Sequence, residues 1–447
     1  MAATEVLIED VGDEAPASSK DLLRFITAGS VDDGKSTLIG RLLHDAKALM
    51  EDQIDALARA STRRGLAELD LSYVTDGLQG EREQGITIDV AYRSFETARR
   101  RFIIADTPGH EQYTRNMVTG ATNADVAVIL VDACKYWLPQ SRRHACVADT
   151  VGIRHLIVAV NKMDLLDYCE DAFAHIRDEF LDFAANLHFE RVEFIPISAL
   201  KGDMIVERGA NLGWYEGPTL LQALEEAEIP GAAYGSDDAP LRFPVQWVSR
   251  SGGPGRVSRR GYMGRIVSGS VAAGDEVVVL PSGRVTHVEE IDTHDGVLAR
   301  AHAPQSVTLH LEDDVDVARG DMIVAAARRP ALADAFEATV CWLGSEPMSL
   351  HRRRYLIKHG AKTVAAVLSR PSYRLDIATL ARNTEGSTLT MNDIGRVTVR
   401  VQDPLPWDPY AANRATGAFI VIDALTHDTV GAGMIEGPAL GVEAVAS

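Results

Sequence analysis

The octapeptide GSVDDGKS occupies positions Gly29, Ser30, Val31, Asp32, Asp33, Gly34, Lys35 and Ser36. It matches the pattern GxxxxGK[ST], in which glycines let backbone N–H groups converge on phosphates at a helix N-terminus. Lys35 neutralises the β- and γ-phosphates in such a loop, and the Ser36 hydroxyl is placed to ligate Mg²⁺. The sequence therefore predicts a nucleoside-triphosphate-binding loop between a strand and a helix.

The regions around this loop alternate short β-branched runs with amphipathic stretches. Strands are predicted over Arg24–Ala28, Arg101–Ala105, Val126–Asp132, Leu156–Asn161 and Glu193–Ile197. Helices are predicted over Lys35–Leu49, His110–Gly120, Gln140–Val151 and Asp171–Ala185. Such alternation is typical of a mainly parallel sheet with helices on both faces. We therefore predict an α/β P-loop domain here.

The pattern changes near residue 230, where proline, glycine, serine and aspartate cluster. Short β-rich runs and turns follow, which predicts two all-β barrel domains. We divide the chain into a flexible N-terminal tail (1–20), the P-loop domain (21–229), a linker (230–240), two barrels (241–328 and 329–440) and a C-terminal tail (441–447).

Two further elements are expected to face the γ-phosphate. The first directly follows a predicted strand and consists of Asp106, Thr107, Pro108, Gly109 and His110. Asp106 can reach the Mg²⁺ shell through water, and the Gly109 N–H can report loss of the γ-phosphate. His110 is placed to orient the attacking water. The second is GITID, in which the Thr87 hydroxyl joins the Mg²⁺ shell while the γ-phosphate is present.

Two elements are predicted to bind the base. Asn161, Lys162, Met163 and Asp164 follow a buried strand, and Ser198, Ala199 and Leu200 follow the next strand. The Asp164 carboxylate can accept hydrogen bonds from guanine N1–H and its exocyclic amine, whereas adenine offers neither donor there. Asn161 is expected at the other edge of the base, the Lys162 stem on its plane, and a backbone N–H of the second element at O6. The nucleotide is therefore predicted to be GTP.

Composition narrows the function class. The formal net charge of −19 disfavours nucleic-acid partners. The N-terminus has no basic region followed by an apolar one, and no apolar run could span a bilayer. The four cysteines contain no CxxC pair, so we predict small buried hydrophobic residues in a reducing compartment. A cytoplasmic protein without membrane or nucleic-acid partners is expected.

Five nucleotide-binding elements followed by two β domains resemble the elongation factor Tu type of translational GTPase. Within that superfamily, the chain most resembles the GTPase (large) subunit of bacterial sulfate adenylyltransferase, subunit 1 of the CysN type. The stretches that carry this resemblance are Gly29–Leu43, Asp76–Tyr92, Ile103–Gly120, Arg142–His144, Gly261–Gly283, Met391–Gly395 and Asn413–Met434. It extends over roughly residues 20–437.

The resemblance implies that a separate small subunit (subunit 2) transfers the adenylyl group of ATP to sulfate, giving adenylyl sulfate and pyrophosphate. GTP hydrolysis on the large subunit would be coupled to this uphill reaction within a heterodimer or a higher assembly of heterodimers. Some relatives carry a fused adenylyl-sulfate kinase. We expect that activity to be absent, because the sequence has no second GxxxxGK[ST] motif.

One loop departs from the family pattern. Relatives of this type usually have a small turn residue, often glycine, after the strand that ends near Asp132. Here the sequence is Cys134-Lys135-Tyr136-Trp137. The shape of this loop is therefore open, and its aromatic residues could form an exposed contact patch or be partly buried.

Two other functions fit the same nucleotide motifs. The first is a translational GTPase that delivers aminoacyl-tRNA. Asp33 and the C-terminal stretches argue against it, because translation factors typically carry GHVDHGKTT in this loop. The second is a GTP-dependent switch for partner binding, in which hydrolysis is incidental. Turnover with and without a partner would separate the second function from coupled catalysis.

Overall fold

The computed structural model describes residues 20–63, 69–74, 87, 89–110, 113–229, 238–251, 259–349, 354–377, 379–386 and 388–439. The predicted tails, apart from residue 20, lie outside these ranges. So do residues 230–237 of the predicted linker and three of the four neighbours of Thr87 in GITID. Among the helices within these ranges, none has the length and apolar character needed to cross a membrane.

A six-stranded sheet forms the centre of the N-terminal region. Its strands are β1 (Leu22–Ala28), β2 (Ala91–Glu96), β3 (Arg101–Asp106), β4 (Val126–Asp132), β5 (His155–Asn161) and β6 (Arg191–Pro196). The strand order is β2-β3-β1-β4-β5-β6, and only β2 runs antiparallel to its neighbour. Every residue of β4 and β5 is buried, as expected for strands that are covered on both faces. The prediction of a mainly parallel sheet is confirmed.

The helices of this region differ in detail from the prediction. They are α1 (Lys35–Asp45), α2 (Glu51–Arg63), α3 (Thr114–Ala121), α4 (Pro139–Thr150), α5 (Glu170–Ala184) and α6 (Leu220–Glu226), with short 3₁₀ helices at Leu71–Val74 and Met163–Leu166. The first helix ends at Asp45 and not at Leu49, because Lys47 takes a left-handed conformation with φ of 58°. The helix predicted from His110 begins at Thr114. Helices α2 and α6 and the edge strand β2 were not predicted.

The described part of the remaining chain forms two antiparallel barrel domains, and the first also contains a separate two-stranded sheet. The first contains β7 (Arg242–Ser251), β8 (Arg259–Arg265), β9 (Ser270–Ala272), β10 (Glu276–Leu280), β11 (Arg284–Thr293), β12 (Gly296–Leu298), β13 (Arg300–His302), β14 (Ser306–Leu311) and β15 (Met322–Ala325). The second contains β16 (Ala331–Trp342), β17 (Tyr355–His359), β18 (Lys362–Leu368), β19 (Tyr373–Leu375), β20 (Arg382–Asn383), β21 (Ile394–Trp407), β22 (Ala418–Asp423) and β23 (Thr429–Pro438), with helix α7 (Arg414–Gly417). The pairings β10–β11 and β16–β21 close the two rings. These strands fall within the predicted barrel ranges, whose exact limits stay predictions.

Buried polar contacts join the three regions. Arg242 of the first barrel makes a two-pronged ion pair with Asp408 of the second, with N–O distances of 2.8 and 2.9 Å. The Arg242 side chain is only 4% exposed. Tyr410 of the second barrel donates its hydroxyl to the Val151 carbonyl at 2.7 Å, and Arg414 reaches the Ala124 carbonyl at 3.2 Å. The barrels are thus tied to each other and to the back of the P-loop region.

The cysteine prediction is half wrong. Cys146 and Cys341 are buried, as expected for small apolar residues. Cys134 and Cys169 are exposed, because they lie in connections that follow strands rather than in the core. All four are free thiols.

The loop that departs from the family pattern has a defined shape. Trp137 is 7% exposed, stacks on Phe180 with ring centroids 4.4 Å apart, and donates its indole N–H to the Ile176 carbonyl at 2.9 Å. Tyr136 is 43% exposed and has φ of 56°, a left-handed conformation that a glycine would adopt without strain. The two aromatic residues therefore have different roles. Trp137 anchors the loop, whereas Tyr136 occupies the left-handed position of its turn.

Replacing Trp137 should destabilise the P-loop region. We expect Trp137→Ala to lower its free energy of unfolding by about 3–5 kcal/mol, because a buried aromatic side chain and its hydrogen bond are lost. Tyr136→Gly is the control and should change it by less than about 1 kcal/mol, since relief of backbone strain offsets the gain in unfolded-state entropy. Urea unfolding followed by circular dichroism measures both. Equal effects of the two substitutions would contradict the anchoring role of Trp137.

Candidate nucleotide-binding site

The predicted phosphate loop wraps around the N-terminus of α1. Gly34 precedes the helix with φ of 92°, and a Cβ added there would lie 2.5 Å from Nδ2 of Asn161. Glycine is therefore required on two grounds, conformation and space. The Lys35 ammonium donates to the carbonyls of Gly29 and Ser30, at 2.9 and 2.8 Å, and so closes the loop over itself.

Lys35 and Asp33 are both buried within the loop, and their opposite charges interact. Burial lowers the pKa of Lys35, and the charges of Asp106 and Asp33 oppose that shift. Burial likewise raises the pKa of Asp33, and the Lys35 charge opposes it. One Asp33 oxygen accepts the Ser30 N–H at 2.6 Å, whereas the other has no hydrogen-bond partner within the described part of the chain. Each charge thus offsets part of the cost of burying the other.

A cavity of about 340 Å³ opens above the loop. It is lined by Val31, Asp32, Gly34, Lys35, Ser36, Thr37, Thr87, Gly109 and Lys162. Four of the five predicted elements thus contribute to one surface, and Ser198, Ala199 and Leu200 do not line it. A Cβ on Gly109 would lie 2.5 Å from the Lys35 nitrogen and 2.6 Å from the Gly29 carbonyl. Only glycine lets this segment lie so close to the phosphate loop.

The other residues of the Asp106–His110 segment stand behind or beside this cavity. Asp106 is 2% exposed at the end of β3, with one carboxylate oxygen 3.5 Å from the Thr27 hydroxyl. Thr107 donates its hydroxyl to the Thr27 carbonyl at 2.7 Å, and buried Pro108 leads to Gly109. The His110 ring is half-buried, and its centroid lies 6.1 Å from that of Tyr113. His110 is not among the described residues that line the cavity.

The Asn161 side chain joins the base-binding elements to the phosphate loop. It is 2% exposed, donates to the Asp33 carbonyl at 2.8 Å and accepts the Ala199 N–H at 2.9 Å. Lys162 donates to the Asp32 carbonyl at 2.6 Å and to the Asp132 carboxylate at 2.8 Å. The predicted contacts of Asn161 and of a backbone N–H with guanine stay predictions, because here these groups bond to the protein.

Asp164 is half-buried and has a fixed orientation. The Ser198 hydroxyl donates to its Oδ1 at 2.6 Å. Met163, which precedes it, is fully buried and bonds through its N–H to the Ile197 carbonyl, whereas Leu200 is 53% exposed. A carboxylate held in this way can present its other oxygen to a two-donor edge such as that of guanine.

Sequence reasoning missed supporting residues behind the site. Asp132, at the end of β4, is 3% exposed and binds Lys162, and its position at a strand end was a usable signal. Ser141 places its hydroxyl 3.5 Å from that of Ser30. His144, one turn further along α4, is buried, and its burial and the Lys35 and Arg143 charges lower its pKa to about 3. No sequence pattern places this helix against the phosphate loop.

Oxygen ligands for a divalent cation lie at the same edge of the sheet. The hydroxyl-bearing residues Ser36 and Thr87 line one cavity, and the carboxylate of Asp106 ends the neighbouring strand. Hydroxyl and carboxylate oxygens, together with water and substrate phosphates, are the ligands that Mg²⁺ prefers. The residues present therefore fit a Mg²⁺–nucleotide complex.

Comparison with known proteins identifies the family. Residues 20–229 match the elongation factor Tu GTP binding domain, and residues 335–436 match the GTP-eEF1A C-terminal domain-like family. The bifunctional enzyme CysN/CysC of Mycobacterium tuberculosis is 51% identical over 93% of this chain and 67% of its own length. Sulfate adenylyltransferase subunit 1 of Alteromonas mediterranea is 49% identical over 93% of this chain and 87% of its own, and that of Cellvibrio japonicus 48% over 97% and 90%. The chain has a GTP-binding domain and belongs to the sulfate adenylyltransferase subunit 1 family, within the elongation factor Tu-like GTPases.

Proposed function

We propose that this chain hydrolyses GTP and couples the hydrolysis to synthesis of adenylyl sulfate and pyrophosphate from ATP and sulfate. A separate small subunit carries out the adenylyl transfer, in a cytoplasmic heterodimer or an assembly of heterodimers. The observation that carries the proposal is the cavity shared by Lys35, Ser36, Thr87 and Gly109, in a chain whose relatives are named as subunit 1 of this enzyme.

We assign nucleotide binding to residues whose geometry suits it. Gly29–Ser36 hold the phosphates through backbone N–H groups and Lys35, at the positive end of α1. Asp164 reads the guanine edge in an orientation fixed by Ser198. When bound, Mg²⁺ neutralises charge that develops on the phosphate oxygens, and Ser36, Thr87 and Asp106 would hold it.

Hydrolysis requires a positioned water more than covalent help. Gly109 lies against the phosphate loop and lines the cavity, and His110 is the next residue along the chain. We propose that its ring orients the attacking water. The contact with Tyr113 gives the ring a support on its outer side.

The partner is proposed to dock mainly on the two barrels. The sequence contains a single GxxxxGK[ST] motif, so we assign adenylyl transfer from ATP to another chain. Energy passes between subunits only if partner contacts differ between the GTP and GDP states. We propose that the parts that can differ are the elements of Thr87 and His110, since both are expected to face the γ-phosphate. We propose neither a nucleic-acid partner nor a membrane partner.

Asp164→Asn should change base selectivity. We expect GTP affinity to fall at least tenfold, because a charged acceptor of two hydrogen bonds is lost, and xanthosine triphosphate to become the better ligand. Asp167→Asn, an exposed carboxylate three residues further on, is the matched control. Titration of both nucleotides measures the effect. Unchanged GTP affinity in Asp164→Asn would refute the assignment.

His110→Ala should slow hydrolysis and leave binding almost intact. We expect the single-turnover rate of GTP cleavage to fall by about 100-fold or more, since the interaction is made chiefly in the transition state. The dissociation constant of GTP should stay within about twofold of the wild-type value. Tyr113→Phe is the control. A wild-type rate in His110→Ala would show that another group positions the water.

The coupled function is tested by purifying the chain with an adenylyl-transferring small subunit. We expect slow GTP hydrolysis by the chain alone and much faster hydrolysis with the partner, ATP and sulfate present, since coupling requires partner-dependent states. GDP and adenylyl sulfate are followed together. GTP hydrolysis that ignores partner, ATP and sulfate would overturn the coupled function.

The Asp164→Asn variant supplies an internal control for this test. If coupling runs through this site, the variant complex should make adenylyl sulfate with xanthosine triphosphate in place of GTP. A complex that still requires GTP would place the coupling site elsewhere.

A further inference from the structure

A closed ring of hydrogen-bonded residues includes the proposed guanine-reading carboxylate. The ring comprises Met163, Asp164, Tyr168, Ser198 and Asp203, and we call it the reader ring. The Ser198 hydroxyl donates to Asp164 at 2.6 Å, and the Ser198 N–H donates to the Asp203 carbonyl at 3.2 Å. The Tyr168 hydroxyl donates to the Asp203 carboxylate at 2.7 Å, and the Tyr168 N–H donates to the Met163 carbonyl at 2.9 Å. The peptide bond from Met163 to Asp164 closes it.

The carboxylate of Asp203 is firmly oriented within the ring. Asp203 is 6% exposed, and its two oxygens also accept from the Asn211 side chain, at 3.2 and 3.3 Å. A Cβ on Gly209 would lie 2.1 Å from one of these oxygens, so glycine is required for the chain to pass there. The Tyr168 hydroxyl therefore bonds to a carboxylate that other contacts hold in place.

The backbone near Asp164 is strained, and contacts made by the ring hold it in this conformation. Asp167 and Tyr168 have φ of 48° and 56°, two successive left-handed residues without a glycine. Such conformations cost of order 1–3 kcal/mol each and persist only where surrounding contacts enforce them. The Tyr168 hydroxyl and N–H are two of those contacts, and the Trp214 indole N–H donates to its carbonyl at 2.8 Å as a third.

We propose that Tyr168 and Asp203 are positioning residues for guanine selectivity. They act through Ser198, which bonds to Asp203, and through the turn that carries Asp164, to which Tyr168 bonds. This inference rests on the proposed guanine site. Hydrogen bonds to a charged acceptor lose strength steeply with misalignment, so a carboxylate that is free to tilt reads two donors poorly.

The signature of positioning is a loss that depends on the base. Inosine diphosphate lacks the exocyclic amine and can give Asp164 one hydrogen bond, whereas GDP can give two. A loosened Asp164 should therefore weaken GDP more than inosine diphosphate. A merely structural defect would weaken both nucleotides by the same factor.

The experiment measures the dissociation constants of GDP, inosine diphosphate and ADP for the full chain and for Tyr168→Phe. We expect GDP to bind about tenfold more weakly and inosine diphosphate about threefold more weakly, so that the preference between them falls about threefold. Tyr215→Phe is the matched control, because it removes a tyrosine hydrogen bond of 2.9 Å, to the Phe194 carbonyl, outside the ring. Its preference should equal that of the wild type.

A wild-type preference in Tyr168→Phe, or an equal loss in Tyr215→Phe, would overturn the positioning role. A wild-type chain that binds ADP as well as GDP would instead refute the guanine site itself. If Tyr168→Phe is too unstable to assay, Asp203→Asn carries the test, because it keeps an acceptor oxygen and removes the charge. We expect it to lower the preference for GDP by about twofold. An unchanged preference there would also overturn the proposal.

Discussion

One buried amide, the side chain of Asn161, sets the geometry of the whole nucleotide site. It joins a carbonyl 128 residues earlier, that of Asp33, to an N–H 38 residues later, that of Ala199. The carboxyl ends of parallel strands meet at one edge of a sheet, which brings these three segments within reach of a single side chain. Loss of the amide would leave a buried N–H and a buried carbonyl without partners, at a cost of about 1–3 kcal/mol each.

Charge balance around Lys35 and Lys162 is the second constraint. The Lys35 charge interacts with those of Asp106 and Asp33, and Lys162 pairs with buried Asp132. The carboxylates near Lys35 oppose the lowering of its pKa by burial. Arriving phosphates add negative charge on the open side of Lys35, where the N-terminus of α1 also points. The site is thus organised before the nucleotide binds.

Sequence predicted those features that depend on short spacing. The phosphate loop, Asp106–Gly109 and Asn161–Asp164 each directly follow strands that read as apolar runs, and β4 was predicted with its observed limits. Other features depend on contacts between residues far apart in the sequence, or on a backbone conformation that no residue type indicates. Lys47 takes a left-handed conformation just after α1, and no glycine stands at that position to indicate it in the sequence. The half-exposed edge strand β2, AYRSFE, also gives no continuous apolar run.

The departure from the family pattern after β4 shows why the site tolerates a changed loop. The Asp132 carbonyl accepts the Tyr136 N–H at 3.1 Å, and its carboxylate accepts the Cys134 N–H at 2.9 Å. The same carboxylate binds Lys162. The turn is therefore built around Asp132 from one side while Trp137 anchors it to α5 from the other. Because both attachments are independent of the side chain at the left-handed position, Tyr136 is tolerated there at the cost of local strain. Lys162 keeps its place beside the phosphate loop.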